Sequence, residues 1–193
     1  MRTLLLCTLV VGSACANDLR VDHPFDGNVS SGPLVSTQVL SGEVKIMNVD
    51  ATNKNSEVYV DLDEGREMKV DEAFSTNGWD LAFKRYVISM NGGAGNPSGS
   101  VRVAVLQNQD FDALTQAPAS GYQQDGADPI FNSVDGGWYF YDLGKHQLIT
   151  VDTLTYVVQS SAGKYFKLKM LSYYDSAGTP ASISLKYGPL TAP

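Results

Sequence analysis

Period-two alternation constrains this chain more than any other feature. Val58, Val60 and Leu62 alternate with Tyr59 and Asp61, and Val101, Val103 and Val105 with Arg102 and Ala104. Phe166, Leu168 and Met170 alternate with Lys167 and Lys169, Ile183, Leu185 and Tyr187 with Ser182, Ser184 and Lys186, and Val44 and Ile46 with Glu43 and Lys45. Successive strand side chains point to opposite faces, so the pattern predicts half-buried strands. Trp79 and Phe83 would also stack one turn apart on a helix. The alternation of Trp79, Leu81 and Phe83 against Asp80 and Lys84, with Val87-Ile88 continuing it, favours a strand. Turn chemistry punctuates the strands at Asp63-Glu64-Gly65, Asn91-Gly92-Gly93, Ser161-Ala162-Gly163 and Asp175 to Gly178. One short helical turn is expected over Asp110 to Thr115. The expected fold is all-β: a single domain of twisted, mostly antiparallel sheets with little helix.

The first residues follow another logic. Met1-Arg2 carries one positive charge and Thr3 to Val11 is apolar, which is too short to span a bilayer as a helix. Small residues Gly12-Ser13-Ala14 then lead to Cys15, the layout of a secretory signal. Signal peptidase could cut after Ala16, reading Ala14-Cys15-Ala16 as the small-x-small site. Ser13-Ala14-Cys15 also resembles a bacterial lipobox, with Gly12 where Leu is common. Cys7 is lost with the signal, which would leave Cys15 as the only thiol. Acylation of Cys15 explains that better than chance does. The organisation read from the sequence is a lipoprotein-type signal over 1–14, a Pro-, Gly- and Ser-rich tether over 15–36 and a β domain over 37–193.

Composition removes several classes of function. The chain has 14 Lys and Arg against 21 Asp and Glu, a net charge of −7. Sparse basic residues argue against nucleic acid, which rewards clustered Lys and Arg. With Cys7 lost in the signal, one Cys and two His remain, too few for a four-ligand Cys/His zinc site. The Gly-rich Asn91 to Ser100 lacks the Lys of a phosphate loop and leads into a strand. Asp61-Leu62-Asp63-Glu64-Gly65 has the acidic look of a calcium loop but lacks the Glu that should follow, so a solvated strand end is the expectation. His146 is the only imidazole outside the tether, where His23 lies, and no nucleophile elbow is present; the chain is expected not to be an enzyme.

Aromatic residues crowd the C-terminal half. In a strand such as Trp138-Tyr139-Phe140-Tyr141, alternate rings must point away from one core, and Tyr173-Tyr174 repeats the problem. Rings on a second face suit a groove for a flat or apolar ligand, or a partner interface. His146 follows these rings directly.

Several blocks, taken together, resemble the HmuY family of exported bacterial haem-binding lipoproteins. They are Trp79 to Tyr86 with Asn91 and its Gly-rich turn, Phe111 to Asp125, Trp138 to Asp142 with His146, Tyr156-Val157-Val158, Gly163 to Met170, Ser172 to Tyr174, and Ile183 to Tyr187. The resemblance implies twisted sheets that grip haem, carried as cargo, with axial ligation by two His or Met side chains. One ligand falls at His146. The segment 108–126, where the other belongs, contains neither His nor Met, which leaves Gln116, Tyr122, Gln123 and Gln124, with Met90 or Met170 only if the fold brings them near. Trp138, Tyr139 and Tyr141 would line the pocket, and Lys145, Lys164 and Lys167 lie near in sequence for the propionates. An outer-membrane receptor would be the partner, with the lipid anchor holding the chain to the cell envelope. The competing reading is an anchored β-module that uses the same aromatic groove for a non-haem ligand or a protein.

Overall fold

A computed structural model describes residues 33–69, 71–73, 77–134 and 136–193. The signal, Cys15, His23 and all but the end of the tether lie outside the described residues.

Among the described residues, three antiparallel sheets make up the fold. The largest runs in the order β1 (Val35–Ser41), β2 (Val44–Asp50), β12 (Pro180–Leu190), β11 (Tyr165–Tyr174), β10 (Leu154–Gln159) and β7 (Arg102–Gln107). A four-stranded sheet follows the order β4 (Arg66–Met68), β3 (Val58–Asp61), β5 (Leu81–Lys84) and β6 (Val87–Met90). The hairpin of β8 (Tyr139–Asp142) and β9 (Gln147–Thr150) stands as its own two-stranded sheet. Helix among the described residues is limited to a 3-10 turn, Ile130–Asn132, and a short helical stretch at 71–73. The all-β expectation is borne out.

The alternation explains the main core. Phe166, Leu168 and Met170 of β11 and Ile183, Leu185 and Tyr187 of β12 face Val58, Val60, Leu81 and Phe83 of the smaller sheet in one buried cluster. Burying that much apolar surface is what holds the two sheets together. Strand β2 reverses the expected phase. Met47 and Val49 are buried, while Val44 and Ile46 stay half-exposed. Met47 pairs directly with Leu185, and cross-strand partners share a face, so β12 sets the side that β2 buries.

Two further expectations change. Val87-Ile88 does not continue the Trp79–Phe83 strand: a turn at Arg85-Tyr86, with Arg85 at φ 56°, folds β6 back on β5. Trp79 precedes β5 and packs edge-on against Tyr59 at 5.0 Å in a second cluster, away from Leu81 and Phe83. The stretch after Asp110 forms a plain turn, opened by the Asp112 N–H donating to Asp110 Oδ1, rather than a helix.

Two buried carboxylates fix loops to the sheets. The Asp80 carboxylate accepts the Leu62 and Ser161 amides at 2.8 and 2.7 Å. Its burial pushes its pKa up to about 6. Asp125 accepts the Met90 and Ile130 amides at 2.8 and 2.9 Å. In the Gly-rich loop, Asn91 is fully buried and donates through Nδ2 to the Asn77 and Trp79 carbonyls, which supports the reading of a structural loop.

Candidate functional site

The β8–β9 hairpin is anchored at its base and open at its tip. Trp138, at its entry, is fully buried, and its indole N–H donates to the Tyr86 carbonyl at 3.1 Å. Tyr139 stacks edge-on against Tyr86 and Trp138 at 5.7 and 5.0 Å. The Leu148 amide donates to the Tyr174 hydroxyl at 3.0 Å and ties β9 to the end of β11. Asp142 shapes the turn: its Oδ1 accepts the Gly144 and Lys145 amides at 2.8 and 3.0 Å, the local bonding that makes Asp a turn residue. His146 closes the turn with φ 54°, a left-handed conformation that His tolerates better than most residues.

Beyond that base the hairpin projects apolar surface. Phe140, Tyr141 and Leu143 are 52, 50 and 77% exposed, an unusual density of large apolar groups for four residues. His146 is exposed among them, with Nδ1 at 3.0 Å from the Tyr141 hydroxyl. The imidazole therefore has one nitrogen held, while Nε2 makes no described hydrogen bond. The expectation of rings on two sides is met, with a redistribution. Trp138 and Tyr173 belong to the core and lie 6.0 Å apart, Tyr139 and Tyr174 are half-buried, and Phe140 and Tyr141 face outward. Trp138 is thus a buried anchor of the hairpin and lines no groove.

The other residues singled out from the sequence lie elsewhere. Residues 111–125 form a strap across the outer face of the large sheet. The Ala117 amide donates to the Thr191 carbonyl, and the Gln123 and Val103 amides exchange hydrogen bonds with each other's carbonyls. Gln116 is exposed, and its side chain donates to the Ala192 carbonyl. Tyr122 packs edge-on against Tyr165 at 5.8 Å, in a cluster separate from the one that anchors the hairpin. Its hydroxyl is buried without a partner, and burial pushes its pKa up to about 12, which opposes the phenolate that iron would need. No described contact brings Gln116, Tyr122 or Gln123 to His146. Met90 and Met170 are buried in the core, as are Met47 and Met68.

The lysines divide in the same way. Lys167 donates to the Phe111 and Leu114 carbonyls, both at 2.8 Å, and holds the strap down. Lys164 pairs with Asp63 at 3.0 Å. Only Lys145 stands on the hairpin, 3.8 Å from Asp142. What the sequence reading missed is the pinning role of Asp80, Asp125 and Lys167. Asp80 and Asp125 lie outside the strands and Lys167 lies within β11, and nothing in the spacing marks any of them as buried.

Fold and hairpin together define an antiparallel β protein that presents an imidazole among exposed rings on a projecting two-stranded ribbon. Residues 53–141 match the family described as HmuY protein. The fold is that of the apo form of an HmuY analogue from Tannerella forsythia, with TM-score 0.58, 18% identity and 76% of this chain covering 95% of that one. It is also that of apo PinO from Porphyromonas gingivitis, with TM-score 0.56, 14% identity and coverage of 78% and 99%. A Bacteroides vulgatus structure, named as a candidate HmuY-like heme-binding protein, matches with TM-score 0.51, 17% identity and coverage of 75% and 91%. The resemblance read from the sequence is borne out: residues 53–141 match the HmuY family, and the fold is similar to that of HmuY-like proteins. No curated protein matches it. No described helix is long and apolar enough to cross a membrane.

Proposed function

We propose that this protein is an exported, lipid-anchored carrier that binds haem at the tip of the β8–β9 hairpin, with His146 as its axial ligand. The observation that carries the reading is the exposed His146 ring, held by Tyr141 on a hairpin that also exposes Phe140 and Leu143. For Nε2 to donate to iron, the proton must sit on Nδ1 and be given to the Tyr141 hydroxyl, so that contact selects the tautomer. Phe140 and Leu143 supply apolar surface for one face of a macrocycle. The HmuY family match and the Bacteroides vulgatus neighbour support haem as the ligand. The signal-like N-terminus supports export to the cell envelope with Cys15 as the acylated residue, and an outer-membrane receptor as the partner that takes the haem. The haem is cargo, and no turnover is involved.

His146 is the only imidazole among the described residues and every described Met is buried. The reading therefore expects one protein ligand, with water or a small molecule on the other side of the iron. The test is a hemin titration of the chain from residue 15 onward, carrying Cys15→Ser. A Soret shift that saturates at one equivalent is expected, weakened ten-fold or more (about 1.4 kcal/mol) by His146→Ala. Saturable binding untouched by that change removes His146 from the site. No saturable shift in either protein leaves the second reading, an aromatic hairpin that docks a non-haem ligand or a protein, which the open and projecting tip also suits.

A further inference from the structure

A second site lies at the other end of the fold. There the β1–β2 turn, the end of β3 and the β10–β11 turn surround a cleft of about 670 Å³ that reaches Lys45, Asp63, Lys164 and Tyr187. Asp63 lines this cleft and belongs to a cluster in which the carboxylates of Asp61, Asp63 and Asp80 each place one oxygen within 4.8 Å of the other two. The Asp63 side chain is only 9% exposed, and its Oδ2 is buried without any hydrogen-bond donor. Its one counter-charge is Lys164, which reaches Oδ1 at 3.0 Å from a side chain that is 68% exposed.

A separate observation points the same way. The Tyr187 hydroxyl is buried and makes no well-formed hydrogen bond, the Thr37 hydroxyl being the one described polar side chain close enough to act on it as a donor. It stands over Gly65, where an added Cβ would come within 2.5 Å of it, and it feels the charge of Asp61. The Thr37 hydroxyl beside it donates to the Gly65 carbonyl at 2.7 Å. A buried hydroxyl without a well-formed hydrogen bond, next to a cleft, is the kind of group that an ordered water satisfies.

We propose that Asp61, Asp63 and Asp80 form a binding site for a divalent cation of the calcium type, with Lys164 occupying its place in the metal-free protein. Three carboxylates with no His or Cys are a hard oxygen donor set, which suits calcium or magnesium over zinc or copper. Each Asp80 oxygen accepts one amide and keeps a lone pair for a metal. The cleft leaves room for waters to complete the six to eight ligands that calcium takes, and one of them would serve the Tyr187 hydroxyl. Calcium binding swings the Lys164 ammonium out to solvent, where most of its side chain already lies. The acidic strand end is then more than a solvated turn, because Asp80, distant in sequence, completes it.

The test is calorimetric titration of calcium chloride into chelator-treated protein from residue 15 onward, carrying Cys15→Ser, with thermal unfolding in parallel. One saturable equivalent is expected, with a dissociation constant on the order of 10⁻⁴ to 10⁻³ M, the range of extracellular modules. Asp63→Asn should weaken it at least ten-fold. Lys164→Ala should tighten it several-fold, because the competing ammonium is gone, an effect that a merely structural ion pair would not produce. Asp80 is left intact, since its carboxylate holds two amides, and circular dichroism checks that both variants fold. Absence of heat and of any shift in unfolding temperature at about 10 mM calcium, well above that range, overturns the proposal. Calcium binding unchanged by Asp63→Asn, or not tightened by Lys164→Ala, overturns it too. Hemin plays no part in these readouts, so they stand apart from the fate of the haem reading.

Discussion

Asp125 offers the sharpest test of how the loops are held. Its carboxylate is buried and accepts two buried amides, from Met90 at the end of β6 and from Ile130 at the start of the 3-10 turn. Asp125→Ala removes both acceptors and leaves two buried N–H groups unpaired. At about 1–3 kcal/mol each, the loss is roughly 2–6 kcal/mol, a large part of the 5–15 kcal/mol that holds a typical domain. Asp125→Asn keeps one acceptor and should cost about half as much. The pH dependence gives a second handle. Burial raises the Asp125 pKa above its ordinary 3.8, so the folded protein holds this proton more tightly than the unfolded chain. Its contribution is fully present below 3.8 and is lost as pH rises through the raised folded value. The stability difference between wild type and Asp125→Asn should therefore move in favour of the variant as pH rises across that window. Urea denaturation with linear extrapolation, repeated from acid to neutral pH, measures both effects. A cost for Asp125→Ala below about 1 kcal/mol with an unchanged m-value would refute the reasoning, because it would mean that the two amides find other partners.

Other substitutions probe the strap and the hairpin. Trp138→Ala empties a fully buried site and should cost roughly 3–5 kcal/mol in chemical denaturation. His146→Ala removes an exposed ring but puts Ala at φ 54°, so it should cost about 1 kcal/mol in chemical denaturation and leave the chain folded, and a ten-fold loss of hemin affinity in the folded variant then reads on the ligand. Lys167→Met strips the Phe111 and Leu114 carbonyls of their donor and should speed hydrogen exchange selectively over 111–117. Tyr122→Phe deletes a buried hydroxyl that has no partner, so it should be neutral or stabilising by up to about 1 kcal/mol in thermal unfolding, and it should leave hemin affinity unchanged.

The strands were legible because alternation is a local signal that a sheet imposes directly. The strands β3, β7, β11 and β12 carry it and bury the face it marks. Strand β2 shows where a local signal stops. Val44, Ile46, Met47 and Val49 offer apolar groups on both faces, and the partner strand chooses between them through the pairing of Met47 with Leu185. The hairpin was half legible. Its aromatic run announced rings on two sides, but which rings turn inward depends on Tyr86 and Phe131, whose carbonyls take the Trp138 indole and backbone N–H groups. The second-ligand candidates failed for a related reason. Gln116, Tyr122 and Gln123 lie on a strap whose course is set by long-range pairing with Val103 and Thr191, which no short window of sequence encodes.

Strand β11 connects these observations. Its first residue, Tyr165, lines the acidic cleft, and its last, Tyr174, accepts the amide that ties down the β8–β9 hairpin. Ten residues at the strand rise of about 3.3 Å separate the two ends by roughly 30 Å. That is several Debye lengths at physiological salt, so charge gathered at the cleft is screened from His146. A cation there can influence ligand capture at the hairpin only by stiffening the strand between them, from the β10–β11 turn that bears Lys164 to the Tyr174 hydroxyl. Such coupling has to be reciprocal: if calcium tightens hemin binding by some factor, hemin tightens calcium binding by the same factor. The same pair of titrations, each repeated with the other ligand saturating, therefore measures one quantity twice. Equal factors different from one would make β11 a mechanical link between the two ends, and factors of one would make them independent sites on a shared scaffold.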